Sequence, residues 1–249
     1  PDDLPDISHL QHSWEAALAD LLDEWEGVED DQKAELVDAI LEIAESGELA
    51  DLTEVVIDSG PGAEVLEAAM VRLAAEAAEQ VVEEAAEQAV TVEPQEVAGP
   101  VLADVATVVA AVRAGVLTGG AIMAARRANG PEATADDVAE AVDEHLRSLS
   151  PDGPRPLLGG ALTGAQNAGR IETLREAPEG ALYANERNDR NTCAPCREVD
   201  GRWLGNVSDM ERVLESYPGG AYGGYVLCLG RERCRGTITG VWRPRQVDE

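Results

Sequence analysis

The sequence predicts a mainly α N-terminal region followed by a small α+β C-terminal module stapled by a four-cysteine zinc site. Three observations lead there. Apolar residues recur at three- and four-residue steps through most of the first 175 positions, the period shortens after Pro178, and all four cysteines fall between Cys193 and Cys234. The chain has 249 residues, 44% of them hydrophobic but only 3% aromatic and none of them Phe, so its core has to be built from Ala, Leu, Val and Ile. Such residues favour packed helices. No basic segment precedes an apolar core at the N-terminus and no run approaches the roughly 20 apolar residues of a bilayer span, so neither a signal peptide nor a membrane segment is expected, and the chain is expected to be soluble. The chain starts at Pro1 rather than Met, which admits a processed product or the visible part of something longer.

From the N-terminus, Leu10, Trp14, Leu18, Leu21, Leu22 and Trp25 share one face of a helix expected over about 8–25, which Gly27 ends. A second helix is expected over 31–44, with Leu36, Val37, Ile40, Leu41 and Ile43 inward, making a hairpin with the first. Trp14 and Trp25 lie on the apolar stripe and read as core anchors. Thr53 to Ile57 suits a short strand or a further helical turn. Pro61 opens a long Ala- and Glu-rich helix to about Ala89, and the two prolines between Thr91 and Pro100 mark a linker and domain boundary. Residues 101–128 are helical again, with a bend expected at Gly115, Gly119 and Gly120. Those glycines lack the Gly-x-x-x-x-Gly-Lys-Ser/Thr pattern of a phosphate loop. Thr134 and Asp137 have capping-box spacing at the start of a helix to Leu149, and the prolines at 151, 154 and 156 predict an extended connector. The expected segments are 1–92, an acidic helical region; 100–156, helices and a linker; and 157–249, the α+β module. In that module a helix over 157–175 precedes strands near 181–185, 202–204, 224–227 and 237–242, with a helix from Ser208 to Glu215 and a tight turn at Asp200-Gly201.

Charge is divided unequally along this plan. Residues 1–100 hold 28 Asp and Glu against Lys33 and Arg72, a net of −26, while the remainder nets −4 of the total −30. The acidic half repels bare DNA and is no nucleic-acid surface. Solvated helix faces account for it; the sharper expectation is contact with a basic protein surface or repulsion of packaged DNA. Leu10, Trp14, Leu18 and Leu22, with the Ala-rich face of residues 62–89, are expected to leave apolar surface for docking to a partner.

Cys193 and Cys196 flank Ala194-Pro195, the two-residue gap that lets one turn aim both sulfurs at a single ion, and Cys228 and Cys234 form a second pair across a longer gap. Four thiolates close a tetrahedral structural Zn2+ site. Two disulfides or four unligated thiols are the other arrangements the spacing allows.

The same stretch resembles the phage Mu F-like minor head proteins of tailed bacteriophages. The features shared are Asn167-Ala168-Gly169-Arg170 on a helix, Asp189-Arg190-Asn191-Thr192-Cys193-Ala194-Pro195-Cys196, the Asp200-Gly201 turn and Cys234-Arg235-Gly236-Thr237, covering about 157–242. Many relatives close with His-Pro-x-Cys-Arg-Cys, whereas this chain has Cys228 upstream and Gly236 at the last cysteine position. The resemblance implies a minor capsid protein, in several copies per virion, inside the phage head and in the host cytoplasm during assembly. Its implied partners are the portal protein and the major capsid protein, with packaged DNA a further contact, and its implied role is head assembly or genome packaging and delivery. Two other readings stay open. Arg231, Arg233, Arg235, Arg243 and Arg245 near the cysteines suit a zinc-ribbon nucleic-acid binder or an acidic partner, and some phage genomes fuse such a region to a capsid maturation protease. No catalytic constellation is readable. His9, His12 and His145 lie on helical segments far in sequence from Cys193, and the adjacent pairs Glu83-Glu84 and Asp136-Asp137 are what acidic helices produce by composition.

Overall fold

The computed structural model describes residues 4–47, 49–187, 190–218, 223–230 and 234–242. Five long helices come first: α1 (Ser8–Ser46), α2 (Gly60–Glu87), α3 (Gly99–Ala128), α4 (Ala135–Arg147) and α5 (Arg155–Arg175), with a 3-10 turn at Leu49–Glu54. The C-terminal part holds β1 (Ala181–Asn185), α6 (Ala194–Val199), β2 (Trp203–Asn206), α7 (Met210–Ser216) and β3 (Thr237–Val241). The strands make one antiparallel sheet in the order β2-β1-β3. Central β1 pairs with β3 from Ala181↔Val241 to Asn185↔Thr237, and with β2 through Leu182↔Gly205, the register shifting before Tyr183↔Trp203. A mainly helical chain with a small C-terminal sheet is thus what the sequence pattern predicted.

The chain divides into two compact units, Pro1–Ala19 with Glu67–Leu102 and Pro156–Glu249, and Asp20–Leu66 with Ala103–Arg155. These do not follow the three segments 1–92, 100–156 and 157–249, because α1, α2 and α3 are each long enough to give residues to both units.

In the second unit the core is Leu36, Ile40, Leu52, Ile57, Leu117, Ala121, Val142 and Leu146. Two expectations fail here for one reason. Gly27 does not end α1, and Gly115, Gly119 and Gly120 do not bend α3 into two helices. A helical glycine costs only about 1 kcal/mol relative to alanine, and tertiary burial of its neighbours outweighs that. Around Gly27 the neighbours are tied across the gap: the buried Trp25 indole donates to Glu29 Oε1 at 2.9 Å. Arg113 of α3 grips the same carboxylate, its Nε 2.5 Å from Oε1 and its Nη2 2.9 Å from Oε2. The Thr53–Ile57 stretch is no strand; it falls in and just after the 3-10 turn. Thr134 and Asp137 form the capping box, Asp137 N donating to Thr134 Oγ1 at 3.2 Å and Thr134 N to Asp137 Oδ2 at 2.8 Å. By length and composition α3 is apolar enough to cross a bilayer, contrary to the reading of the sequence, and 39% of its most apolar window is buried.

In the first unit the small face of α2 is covered: Ala74, Ala77, Ala78, Val81 and Ala85 are buried, as are Leu10 and Leu18 of α1. Trp14 lies over Gly159 of α5 and donates to its carbonyl at 3.2 Å. The apolar surface expected to await a partner in this part of the chain is therefore used inside the unit. The strand expected at 224–227 is a turn with a single bridge at Tyr225, and α5 begins at Arg155, inside the expected extended connector.

The Glu29 carboxyl shows what the second unit rests on. Burial alone would raise its pKa, but the hydrogen bonds from Arg113 and Trp25 and the charge of Arg113 hold it below the ordinary 4.5. A carboxyl depressed in the folded state contributes stability that is full above its unfolded pKa and is lost as pH falls through the folded value. Thermal unfolding followed from about pH 7 to about pH 3 should therefore show a shallower acid decline in Glu29→Gln than in wild type. Parallel declines would show that the pair carries no pH-linked stability.

Candidate metal centre

The cysteines reach one place from three pieces of chain. Cys193 is the N-cap of α6 in extended conformation, Pro195 occupies the first turn, and Cys196 follows one turn on. Pro there costs no hydrogen bond, since the first N–H groups of a helix have no partner within it. The turn expected at Asp200-Gly201 lies between α6, a helix the sequence reading did not anticipate, and β2. Gly201 has φ +68°, a left-handed value that favours glycine, and its N–H donates to Ala184 O of β1 at 2.9 Å, fixing α6 to the sheet. Cys228 follows the turn after Tyr225, and Cys234 leads into β3.

The ligand atoms of Cys193, Cys196 and Cys228 lie within 4.8 Å of one another, and so do those of Glu186, Cys196 and Cys234. Cys196 belongs to both groups and joins the four thiols into one cluster. The Cys193 and Cys228 sulfurs are 3.9 Å apart. Ligands at about 2.3 Å around a tetrahedral ion are about 3.8 Å from each other, so this spacing fits an S-ligated metal and is too long for a disulfide. All four cysteines are free thiols. The cluster could hold a metal ion.

Backbone donors prepare it for negative charge. Tyr225 N donates to Cys234 Sγ at 3.2 Å and Gly230 N to Cys228 Sγ at 3.3 Å. Cys234 is pushed down to about 6, first by the hydrogen bond from the Cys196 thiol and then by backbone N–H groups, while sharing that proton raises Cys196. Burial, then the charge of Cys234, pushes Cys228 up to about 11; Cys193 is lowered despite burial by the N–H groups of Cys196 and Leu229. A bound cation would displace the protons that remain on these crowded sulfurs.

Beside the thiols is a residue that the sequence did not single out. Glu186, just after β1, is buried, accepts a 2.8 Å hydrogen bond from the Tyr217 hydroxyl and has its N–H bound to Asp200 Oδ1 at 2.8 Å. Burial and then the Cys234 charge push its carboxyl up to about 8. Its only signal in the sequence was its position seven residues before Cys193, which is no signal by itself.

The Asn167-Ala168-Gly169-Arg170 run of α5 holds this corner together. Asn167 Nδ2 donates to Gly223 O at 2.8 Å and Gly236 O at 3.3 Å, and Thr237 Oγ1 donates to Asn167 Oδ1 at 2.7 Å. Gly169 sits so close to α2 that a Cβ would run into the Ala74 carbonyl. Arg170, with 0% exposure, donates from Nη1 and Nη2 to the two Glu84 oxygens at 2.8 and 2.7 Å, and from Nη2 to Ile238 O of β3 at 3.2 Å. Glu84 is thus a buried ion-pair partner rather than one member of a compositional acidic pair.

Of the expected basic face, Arg235 is described and donates to Gln11 Oε1 at 3.2 Å; Arg231, Arg233, Arg243 and Arg245 lie outside the described residues, as does Asp189. No histidine joins either thiol group among the described residues. No family model, no curated protein and no solved structure matches this chain.

Two substitutions in α5 should separate its roles. Arg170→Ala leaves Glu84 buried without its partner and should cost about 3–5 kcal/mol in urea unfolding. Gly169→Ala should cost about 1–3 kcal/mol by forcing α5 away from α2. Wild-type stability for either would refute the packing described.

Proposed function

We propose that this chain is a structural minor head protein of the phage Mu F-like kind, whose C-terminal module is closed by one structural Zn2+ held by Cys193, Cys196, Cys228 and Cys234. The observation that carries the reading is convergence. The separate pieces of sequence on which the resemblance rests meet in one unit, with Asn167 bonded to Gly236 and Thr237, Arg170 to Ile238, and Cys196 beside Cys234. The sulfur spacing, with N–H donors aimed at two of the sulfurs, supports a closed four-sulfur zinc site, in which the ion would have no open position for catalysis. When bound, the ion would supply a cross-link where short strands and turns give little apolar burial of their own. In this role the acidic helices keep the protein soluble and away from DNA, and the partners are the portal protein and the major capsid protein in the head interior.

Elemental analysis of protein purified under reducing conditions should find about one zinc per chain, and chelation should lower the stability of the module, since structural zinc contributes on the order of 10 kcal/mol of apparent binding energy. Zinc-free reduced protein of unchanged stability, or two disulfides in peptide maps, would overturn the metal reading. The head role is tested separately by mass spectrometry of particles made from the genome encoding the chain. It should be present in DNA-free heads separated from tails, and its absence there would overturn that part.

A further inference from the structure

We infer that α3 pairs with α3 of a second copy of this chain in antiparallel orientation. The inference stands on α3 alone and does not depend on the metal or head readings. α3 buries one side in its own unit through Arg113, Ala114, Leu117, Ala121 and Ala125 and turns an uncharged apolar stripe outward. Val105, Val108, Val112, Val116 and Met123 are 39%, 63%, 51%, 54% and 52% exposed. With Gly119, they recur at three- and four-residue steps along one line of the helix. Scattered exposed valines need no explanation, but a contiguous apolar line several turns long marks an interaction site. Gly115 and Gly119 have nothing within 4 Å of where a Cβ would lie, so another backbone can come close between the valines.

Charge selects the occupant and its direction. Asp104 stands exposed at the N-terminal end of the stripe, and Arg126 and Arg127 stand exposed at the other; among the described residues none of the three joins an ion pair. Between Asp104 and Arg126 the helix has one charge, Arg113, which is buried and neutralised by Glu29. Gly115 lies midway between Asp104 and Arg126. A two-fold axis there sets Asp104 of each copy beside Arg126 of the other over about 33 Å of helix. Parallel pairing would set like charges together. The stripe also lacks the acidic residues that make two copies of a chain with net charge −30 repel one another elsewhere. Lipid fits less well, since it must cover a helix on all sides, and this one commits a full face and a buried ion pair to its own unit.

Analytical ultracentrifugation of the full chain at about 0.15 M salt, where surface charges are screened beyond about 8 Å, should show reversible dimerisation of the 26.3 kDa chain. Val112→Glu should weaken the dimer by about tenfold or more, with helical circular dichroism and thermal stability retained. Asp104→Arg and Arg126→Asp should each weaken it, and the double variant should restore it. A monomer at all concentrations, a dimer untouched by Val112→Glu, or a double variant no better than the singles would overturn the inference. So would flotation with phosphatidylcholine vesicles, lost in Val112→Glu, by a chain that stays monomeric in buffer.

Discussion

A guanidinium with no exposed surface must find a partner for its charge and its donors, and in the unit that holds the cysteines this requirement falls on Arg170. Glu84 of α2 takes two of its N–H groups and Ile238 of β3 accepts a further bond. One side chain thereby fixes a central helix, the long acidic helix and an edge strand in a single register. The desolvation cost of burying both charges is recovered only when geometry is good, so the pair specifies an arrangement more than it adds net stability. Gly169 permits it by letting α5 approach the α2 backbone, and Asn167 extends it by bonding the chain on both sides of β3's entry.

The thiols depend on that register. Cys234 lies three residues before β3, so whatever positions β3 positions Cys234, while α6 is tied to β1 by the Gly201 N–H and brings Cys193 and Cys196 from the other side. Among the described residues the sheet between them has three short strands, and its buried core is Leu182, Ala184 and Ile238 with Val199, Met210, Val213 and Tyr217. A metal cross-link at that point would join the segments that the sheet alone holds least. Arg113 and Glu29 solve the same problem of buried charge in the second unit, again between long helices.

Much of this was legible in the sequence. The helical period placed α2, α4 and α5, Thr134 and Asp137 announced a capping box, and the Cys193-Ala-Pro-Cys196 spacing pointed to the cluster. What failed did so for identifiable reasons. Gly27, Gly115 and Gly119 read as breaks because propensity is local, whereas burial of Trp25, Leu117 and Ala121 is not visible until partners are known. Glu84, Glu29 and Glu186 were invisible because a buried carboxylate looks like any other in a chain with 49 acids. The outward face of α3 was hidden by the same ambiguity: an apolar residue announces that something covers it, not whether the cover belongs to the same chain.

In the proposed metal site four sulfurs, and not the Glu186 carboxylate beside them, would close the coordination shell. X-ray absorption at the zinc edge of the metal-loaded protein tests it directly. The expected spectrum shows a single shell of four sulfurs at about 2.3 Å. A shell of three sulfurs with one oxygen at about 2.0–2.2 Å would contradict it and would put Glu186 on the metal in place of one cysteine.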